Sequence, residues 1–313
     1  MLLTVEGLTI EAGGRRPILR EVSLTVGKGE IVGLVGESGS GKSTIARSVL
    51  RLLPEGARVS GRVAVSGHDV LTMSPAALRD LRAAQVSMIY QDPRSSLNPV
   101  RRIGDFLTER MVHTLGRPKA EARARALELL AAVGIDDPEL RLRQYPHELS
   151  GGMLQRVVIA AALAADPALL LADEATSALD VTTQAETLAL LRRVQAEREL
   201  GMLFITHDLQ LAAAFCDRVH VLYAGTVVES RPAKELFDDP RHPYTAGLLA
   251  CTPELGDPRP IQPIPGRPPS LDDTFAGCPF APRCPAADEA CDTWQPSPVT
   301  VPGGSAACRL VEV

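Results

Sequence analysis

The nine residues Gly36-Glu37-Ser38-Gly39-Ser40-Gly41-Lys42-Ser43-Thr44 constrain the chain more than any other stretch, because they fit G-x-x-x-x-G-K-[ST] between a strand-like and a helix-like run. IVGLV (31–35) reads as a buried strand, and IARSVLRLL reads as the helix that follows. Glycines let the backbone wrap closely round phosphate oxygens, and the helix N-terminus adds its positive dipole end. Lys42 would place point charge on the β- and γ-phosphates, and Ser43 would ligate Mg²⁺. The alternative is a glycine-rich turn with an incidental lysine. Only four lysines occur in the chain (Lys28, Lys42, Lys119, Lys234), which counts against coincidence.

A second piece lies downstream. ALLLA (168–172) reads as a strand ending in Asp173-Glu174, so two carboxylates fall at the C-terminal edge of a sheet, where α/β proteins bind ligands. Asp173 would hold the Mg²⁺ shell and Glu174 would polarise an attacking water. Alone, such a pair can equally be a solvated turn; beside the 36–44 loop it reads as catalytic.

The rest of the chain fits an α/β fold. MLFIT (202–206) and VHVLYAG (219–225) are further short apolar runs, which predicts a largely parallel sheet. LLTVEGLTI and REVSLTV alternate apolar and polar residues, as a one-sided antiparallel β layer does. Between 101 and 148 strand signals stop and apolar residues recur at helical spacing, which predicts an inserted helical subdomain, about 95–165. Helices covering the sheet are the alternative. Thirteen of the 25 prolines lie between Pro253 and Pro302, so a boundary is expected near 250, with 1–250 as one domain and 251–313 as an extension.

Charge and hydropathy exclude several classes. With 33 Lys+Arg against 38 Asp+Glu the net charge is −5, so no global positive field draws the chain to nucleic acid. The run beginning at Val157 is broken by Asp166-Pro167, short of the roughly 20 residues of a membrane span. The opening MLLTVEGLTI meets Glu6 before an apolar segment develops and has no basic lead, so export is not expected. Cys216 and Cys251 sit in apolar surroundings, as packed thiols do.

Six motifs in order now carry a resemblance to the ATP-binding subunits of ABC transporters. After the 36–44 loop come MIYQDPRSSLNP, with Gln91 matching the Q-loop, and Leu149-Ser150-Gly151-Gly152-Met153-Leu154-Gln155-Arg156, matching the signature. LLLADE then matches Walker B, Ser177-Ala178-Leu179-Asp180 the D-loop, and His207 in ITHD the switch histidine. The resemblance implies a P-loop NTPase core of RecA-like type, binding ATP with Mg²⁺ at Ser43, Gln91 and Asp173. It also implies two domains packed head to tail, so that Ser150, Gly151 and Gly152 of one subunit and its Asp180 close over ATP on the other. Glu174, His207 and Gln91 would then carry hydrolysis, and the helical segment would pass the motion to membrane subunits. Taken singly, His207 can be an ordinary buried histidine and Gln91 a loop amide.

One departure stands out. The family usually stacks an aromatic side chain on adenine near the start, but none occurs before Tyr90, and Glu11-Ala12 occupy the approximate place. Looser adenine recognition, with measurable use of GTP, is expected, since stacking is commonly worth about 1–3 kcal/mol per base.

The C-terminal stretch narrows the resemblance. RHPYTAGLLACTPEL, IPGRPPSL and GCPFAPRCP are similar to the extension of oligopeptide and dipeptide importer ATPases. That branch implies a non-identical ATPase partner, two transmembrane permease subunits and an extracytoplasmic substrate-binding protein, with the chain peripheral at the cytoplasmic face of the cell membrane. Related importers take nickel, metal chelates or glutathione. A soluble ABC ATPase acting on nucleic acid, or an iron–sulfur protein with a regulatory nucleotide site, are the competing readings. Cys278, Cys284, Cys291 and Cys308 could hold a tetrahedral Zn²⁺ or a [4Fe–4S] cluster, or remain free thiols. Paired C-x2-C spacing is absent, and the resemblance favours the cluster.

Overall fold

A computed structural model describes residues 1–13, 16–177, 179–251, 262–270 and 273–311, the side chain of Arg16 apart. The chain opens with strands β1 (Leu3–Ala12) and β2 (Arg16–Val26), which pair antiparallel as their alternation predicts. With β4 (Arg58–Val65) and β5 (His68–Asp69) they form a four-stranded antiparallel sheet in the order β2-β1-β4-β5. One face, with Leu3, Val5, Leu8 and Ile10, is buried.

Between these elements lie β3 (Ile31–Val35) and α1 (Lys42–Val49), the strand and helix that flank the glycine loop. After β5 come α2 (Pro75–Ala84) and β6 (Val86–Ile89). A helical block follows: α3 (Pro93–Ser96), α4 (Ile103–Glu109), α5 (Lys119–Ala132), α6 (Pro138–Arg141) and α7 (Gly151–Leu163). The chain then alternates through β7 (Leu169–Asp173), α8 (Val181–Arg198), β8 (Gly201–Ile205), α9 (Leu209–Phe215) and β9 (Arg218–Tyr223). It closes with β10 (Thr226–Pro232), α10 (Ala233–Asp238), α11 (Pro243–Ala250), β11 (Val299–Val301) and β12 (Gly304–Ala306).

The main sheet has eight strands in the order β11-β12-β10-β9-β3-β8-β7-β6. Its five strands from β9 to β6 are parallel. The three at the other edge are antiparallel, so the sheet is mixed, with the parallel part lying where the short apolar runs predict it. The C-terminal hairpin thus extends the main sheet through β12 pairing with β10, across the boundary expected near 250.

Side-chain alternation divides the parallel strands between two cores. Val32, Leu34, Leu169, Leu171, Leu203 and Ile205 pack with α1 and the antiparallel sheet. Ile31, Val35, Leu170, Ala172, Met202 and Phe204 pack with the helical block. β3, β7 and β8 are therefore apolar on both faces, which is why each reads as an apolar run.

Candidate functional site

The loop after β3 lies at the carboxyl edge of the parallel strands. Gly36, Gly39 and Gly41 have φ of +147°, +80° and +106°, conformations that L side chains rarely adopt. Gly41 caps α1, and its carbonyl accepts from Thr44 N at 3.0 Å and Ile45 N at 3.2 Å. The loop is pinned from below by Gly225 N, which donates to Ser40 O at 3.0 Å.

Lys42 is buried, and its Nζ donates to the carbonyls of Gly36 and Glu37, each at 2.8 Å, and to Ser40 Oγ at 3.4 Å. Burial lowers its pKa, opposed by Glu174, Asp173 and Glu37. Ser43 Oγ donates to Asp173 Oδ1 at 2.9 Å, joining α1 to the end of β7. Burial raises the Asp173 pKa, with Glu174 adding to the rise while the Ser43 hydrogen bond, Arg47 and Lys42 oppose it. The two oxygens of Ser43 and Asp173 are a donor set suited to a hard cation such as Mg²⁺.

Glu174 follows β7 with φ +48°, a left-handed conformation that costs an L residue about 1–2 kcal/mol. Its backbone N–H donates to Ile205 O at 3.0 Å, which ties the residue to the end of β8. Its side chain accepts from Gln91 Nε2 at 2.7 Å, and His207 Nδ1 lies 3.5 Å from its other oxygen. Gln91, 83 positions before Glu174, and His207, after it, therefore meet at one carboxylate beside the loop. His207 is exposed, which sets aside its reading as a buried histidine.

Other candidate residues stand elsewhere. Ser150 caps α7, its Oγ accepting from Met153 N at 3.3 Å, and Ser150 and Gly151 are exposed. Asp180 caps α8, accepting from Thr183 N at 3.0 Å and Thr183 Oγ1 at 2.7 Å. These bonds hold its carboxyl below the usual range. A Cβ on Gly152 would lie 3.0 Å from Thr183 Cγ2, so the two helix starts adjoin. Ser38 and Gly39 are exposed. Ala178 lies outside the described residues, as do residues 14 and 15 beside Glu11-Ala12, and residues 252–261, 271 and 272 of the extension stretches.

The sequence reading missed three contributors. Buried Gln155 donates to Ala175 O at 2.5 Å, supporting the turn after Glu174. Tyr244 Oη accepts from Glu37 N at 2.9 Å, and Arg283 grips the Glu37 carboxylate. Gln155 lies inside the signature octapeptide, which was its signal; Tyr244 and Arg283 have no local one.

The four C-terminal cysteines line one cavity with His242, Phe280 and Trp294, and all are free thiols. Burial pushes up the pKa values of Cys278, Cys284 and Cys308, and neighbouring cysteines raise them further. Four converging thiols suit zinc or an iron–sulfur cluster in donor chemistry. Yet no group of three or more His, Cys, Asp or Glu among the described residues is arranged to hold a metal ion, so the expected metal centre finds no support in the geometry.

Residues 19–177 match the family described as ABC transporter. Residues 228–291 match the one described as Oligopeptide/dipeptide transporter, C-terminal region. The chain is 47% identical to the oligopeptide transport ATP-binding protein OppD of Mycobacterium tuberculosis, over 94% of this chain and 49% of that protein. It thus spans about half the length of that relative. It is 44% identical to OppD of Salmonella typhimurium over 93% of this chain and 87% of that one. With the probable D,D-dipeptide transport ATP-binding protein DdpD of Escherichia coli it shares 47% identity, over 88% and 84%. Among solved structures, a dimeric post-hydrolysis state of the ATP-binding cassette MJ0796 bound to ADP and Pi superposes with a TM-score of 0.66 at 27% identity. That match covers 74% of this chain and 99% of the other.

The fold, the glycine loop and these matches define an ABC transporter ATP-binding domain. The chain belongs to the ABC transporter family, in the branch that carries the oligopeptide/dipeptide C-terminal region.

Proposed function

We propose that the chain binds and hydrolyses ATP as the motor subunit of an importer of di- or oligopeptides. The observation that carries this reading is the meeting of Gln91 and His207 at Glu174, next to Ser43-Asp173 and the buried Lys42. Lys42, held on loop carbonyls, presents its ammonium to the β- and γ-phosphates, and the loop N–H groups wrap them. Ser43, Asp173 and Gln91 are the residues that would hold Mg²⁺, which supplies positive charge to the phosphate oxygens. Glu174 accepts the proton of the attacking water, Gln91 orients its carboxylate, and His207 at the exposed edge steadies the γ-phosphate.

The exposed Ser150-Gly151 turn is free to cover nucleotide on a second ATPase subunit, a non-identical paralogue packed head to tail, and Asp180 lines that boundary. Two permease subunits and an extracytoplasmic binding protein complete the assembly, with this chain at the cytoplasmic face of the membrane. No helix among the described residues is long and apolar enough to cross it.

Glu174→Gln in the full chain tests the catalytic assignment. Turnover is expected to fall about 10²–10⁴-fold, the usual weight of a general base, while ATP binding persists. Hydrolysis at the native rate would refute it.

We infer in addition that Cys278, Cys284, Cys291 and Cys308 take up a [4Fe–4S] cluster, with a structural role, since ATP hydrolysis needs no electron transfer. What supports this reading is donor chemistry alone: four free thiols line one cavity, and thiolates are the ligands such a cluster takes. Anaerobic purification with iron, sulfide and zinc assays is expected to give iron and sulfide together. Zinc without iron, or neither metal, overturns it.

A further inference from the structure

Glu37 is where the C-terminal extension meets the nucleotide loop. Its carboxylate accepts a fork of two bonds from Arg283, Nη1 to Oε2 at 2.7 Å and Nη2 to Oε1 at 3.0 Å. Such bidentate pairs are the stronger and more directional charge-assisted bonds. The Arg283 side chain is 6% exposed and that of Glu37 23%, so water screens the pair little. Glu37 is held a second time by its backbone N–H on Tyr244 Oη. On its other side, the Glu37 carbonyl accepts from Lys42 Nζ at 2.8 Å.

Arg283 is itself fixed. Its Nε donates to Pro265 O at 2.8 Å, its Nη1 also donates to Tyr223 Oη at 3.3 Å, and its guanidinium lies 5.8 Å from the centre of the Tyr223 ring. It ends the short turn Ala281–Arg283, between Cys278 and Cys284. Just before that turn, Phe280 packs on Tyr223 and Tyr244, each at 5.3 Å between ring centres, and the two tyrosines lie 4.5 Å apart. In a chain only 4% aromatic, three rings thus fill the gap between the extension and the nucleotide loop.

We propose that Arg283 is a positioning residue of the nucleotide site: it fixes Glu37, and through it the carbonyls that orient Lys42, and it neutralises a carboxylate that would otherwise repel bound phosphates. This rests on the reading of the 36–44 loop as the triphosphate site. The extension then forms part of the ATP site and prearranges it before nucleotide arrives.

The test is ATP affinity of the full chain by calorimetry, with thermal midpoints and steady-state ATPase alongside. Arg283→Met is expected to weaken ATP binding about tenfold and to raise KM without lowering kcat, about 1.4 kcal/mol in binding terms. Adding Glu37→Gln to that variant is expected to restore most of the affinity, because the uncompensated charge is gone. A merely structural role would give no such rescue. Arg283→Lys, which keeps the charge but not the fork, is expected to fall between.

Unchanged affinity in Arg283→Met, or failure of Glu37→Gln to rescue it, overturns the proposal. If Arg283→Met does not fold, Arg283→Lys decides, and native affinity there overturns it equally. Lys42→Ala separates the two levels. If it binds ATP as the native chain does, the site reading itself fails; if it loses binding while Arg283→Met does not, only the role of Arg283 fails.

Discussion

Gly36 and Gly39 belong to one loop, yet their surroundings differ. A Cβ on Gly36 would lie 2.2 Å from the Leu222 carbonyl oxygen, whereas one on Gly39 meets nothing within 4 Å. Gly39→Ala is therefore expected to cost only backbone strain, about 1–2 kcal/mol, and to keep ATP binding. Gly36→Ala must displace β9 or the loop and is expected to weaken ATP binding at least about tenfold, over 1.4 kcal/mol. Titration of ATP into both variants checks this, and equal losses would show that conformation, not space, sets the requirement. The motif fixes Gly36 by spacing and leaves Gly39 at a free position, while the contact that ranks the two comes from a strand nearly two hundred residues on. The same distinction separates the rest of the site. Lys42, Ser43, Asp173 and Glu174 were legible because local motifs carry them. Arg283 and Tyr244 were not, because they reach Glu37 across sequence separations of 246 and 207.

Among the elements, the parallel strands were the most legible, since burial on both faces leaves an unbroken apolar run in β3, β7 and β8. The antiparallel edge was hidden. β11 and β12 are three residues each, too short to show a period, and only pairing, of β12 with β10 and of β11 with β12, makes them strands. β10 itself buries Glu229, which accepts from Arg241 N at 3.0 Å and His242 N at 2.9 Å, so a charged residue interrupts what would read as a strand core. Helices α7 and α8 announce themselves at their starts, where Ser150 and Asp180 accept the backbone N–H three residues on. The same residues fall in the stretches that resemble the signature and D-loop. A cap that satisfies its own helix leaves the flanking backbone exposed, as at Ser150-Gly151, and that exposure is what the proposed second subunit would use.

At the scale of the whole molecule, β10 is the seam where the extension's hairpin joins the main sheet, and a buried histidine lies beside it on β9. His220 on β9 pairs in register with Leu34 of β3 and Ser230 of β10. It is buried, and neither ring nitrogen has a hydrogen-bond partner. Burial, with Arg218 on the same strand adding to it, pushes its pKa from 6.5 down to about 3. The fold thus holds His220 neutral, while the unfolded chain takes up a proton below pH 6.5. Its contribution is complete above that value and is lost as pH falls toward about 3. Asp173, raised by burial, acts with the opposite sign in its own range. Between about pH 7 and about pH 5.5, His220 is expected to remove about 1.2 kcal/mol of unfolding free energy. His220→Leu fills the site with a side chain that does not titrate, so its urea unfolding should lack that share of the acid loss. A variant that loses as much stability as the native chain over the same interval would place the acid sensitivity elsewhere than beside this seam.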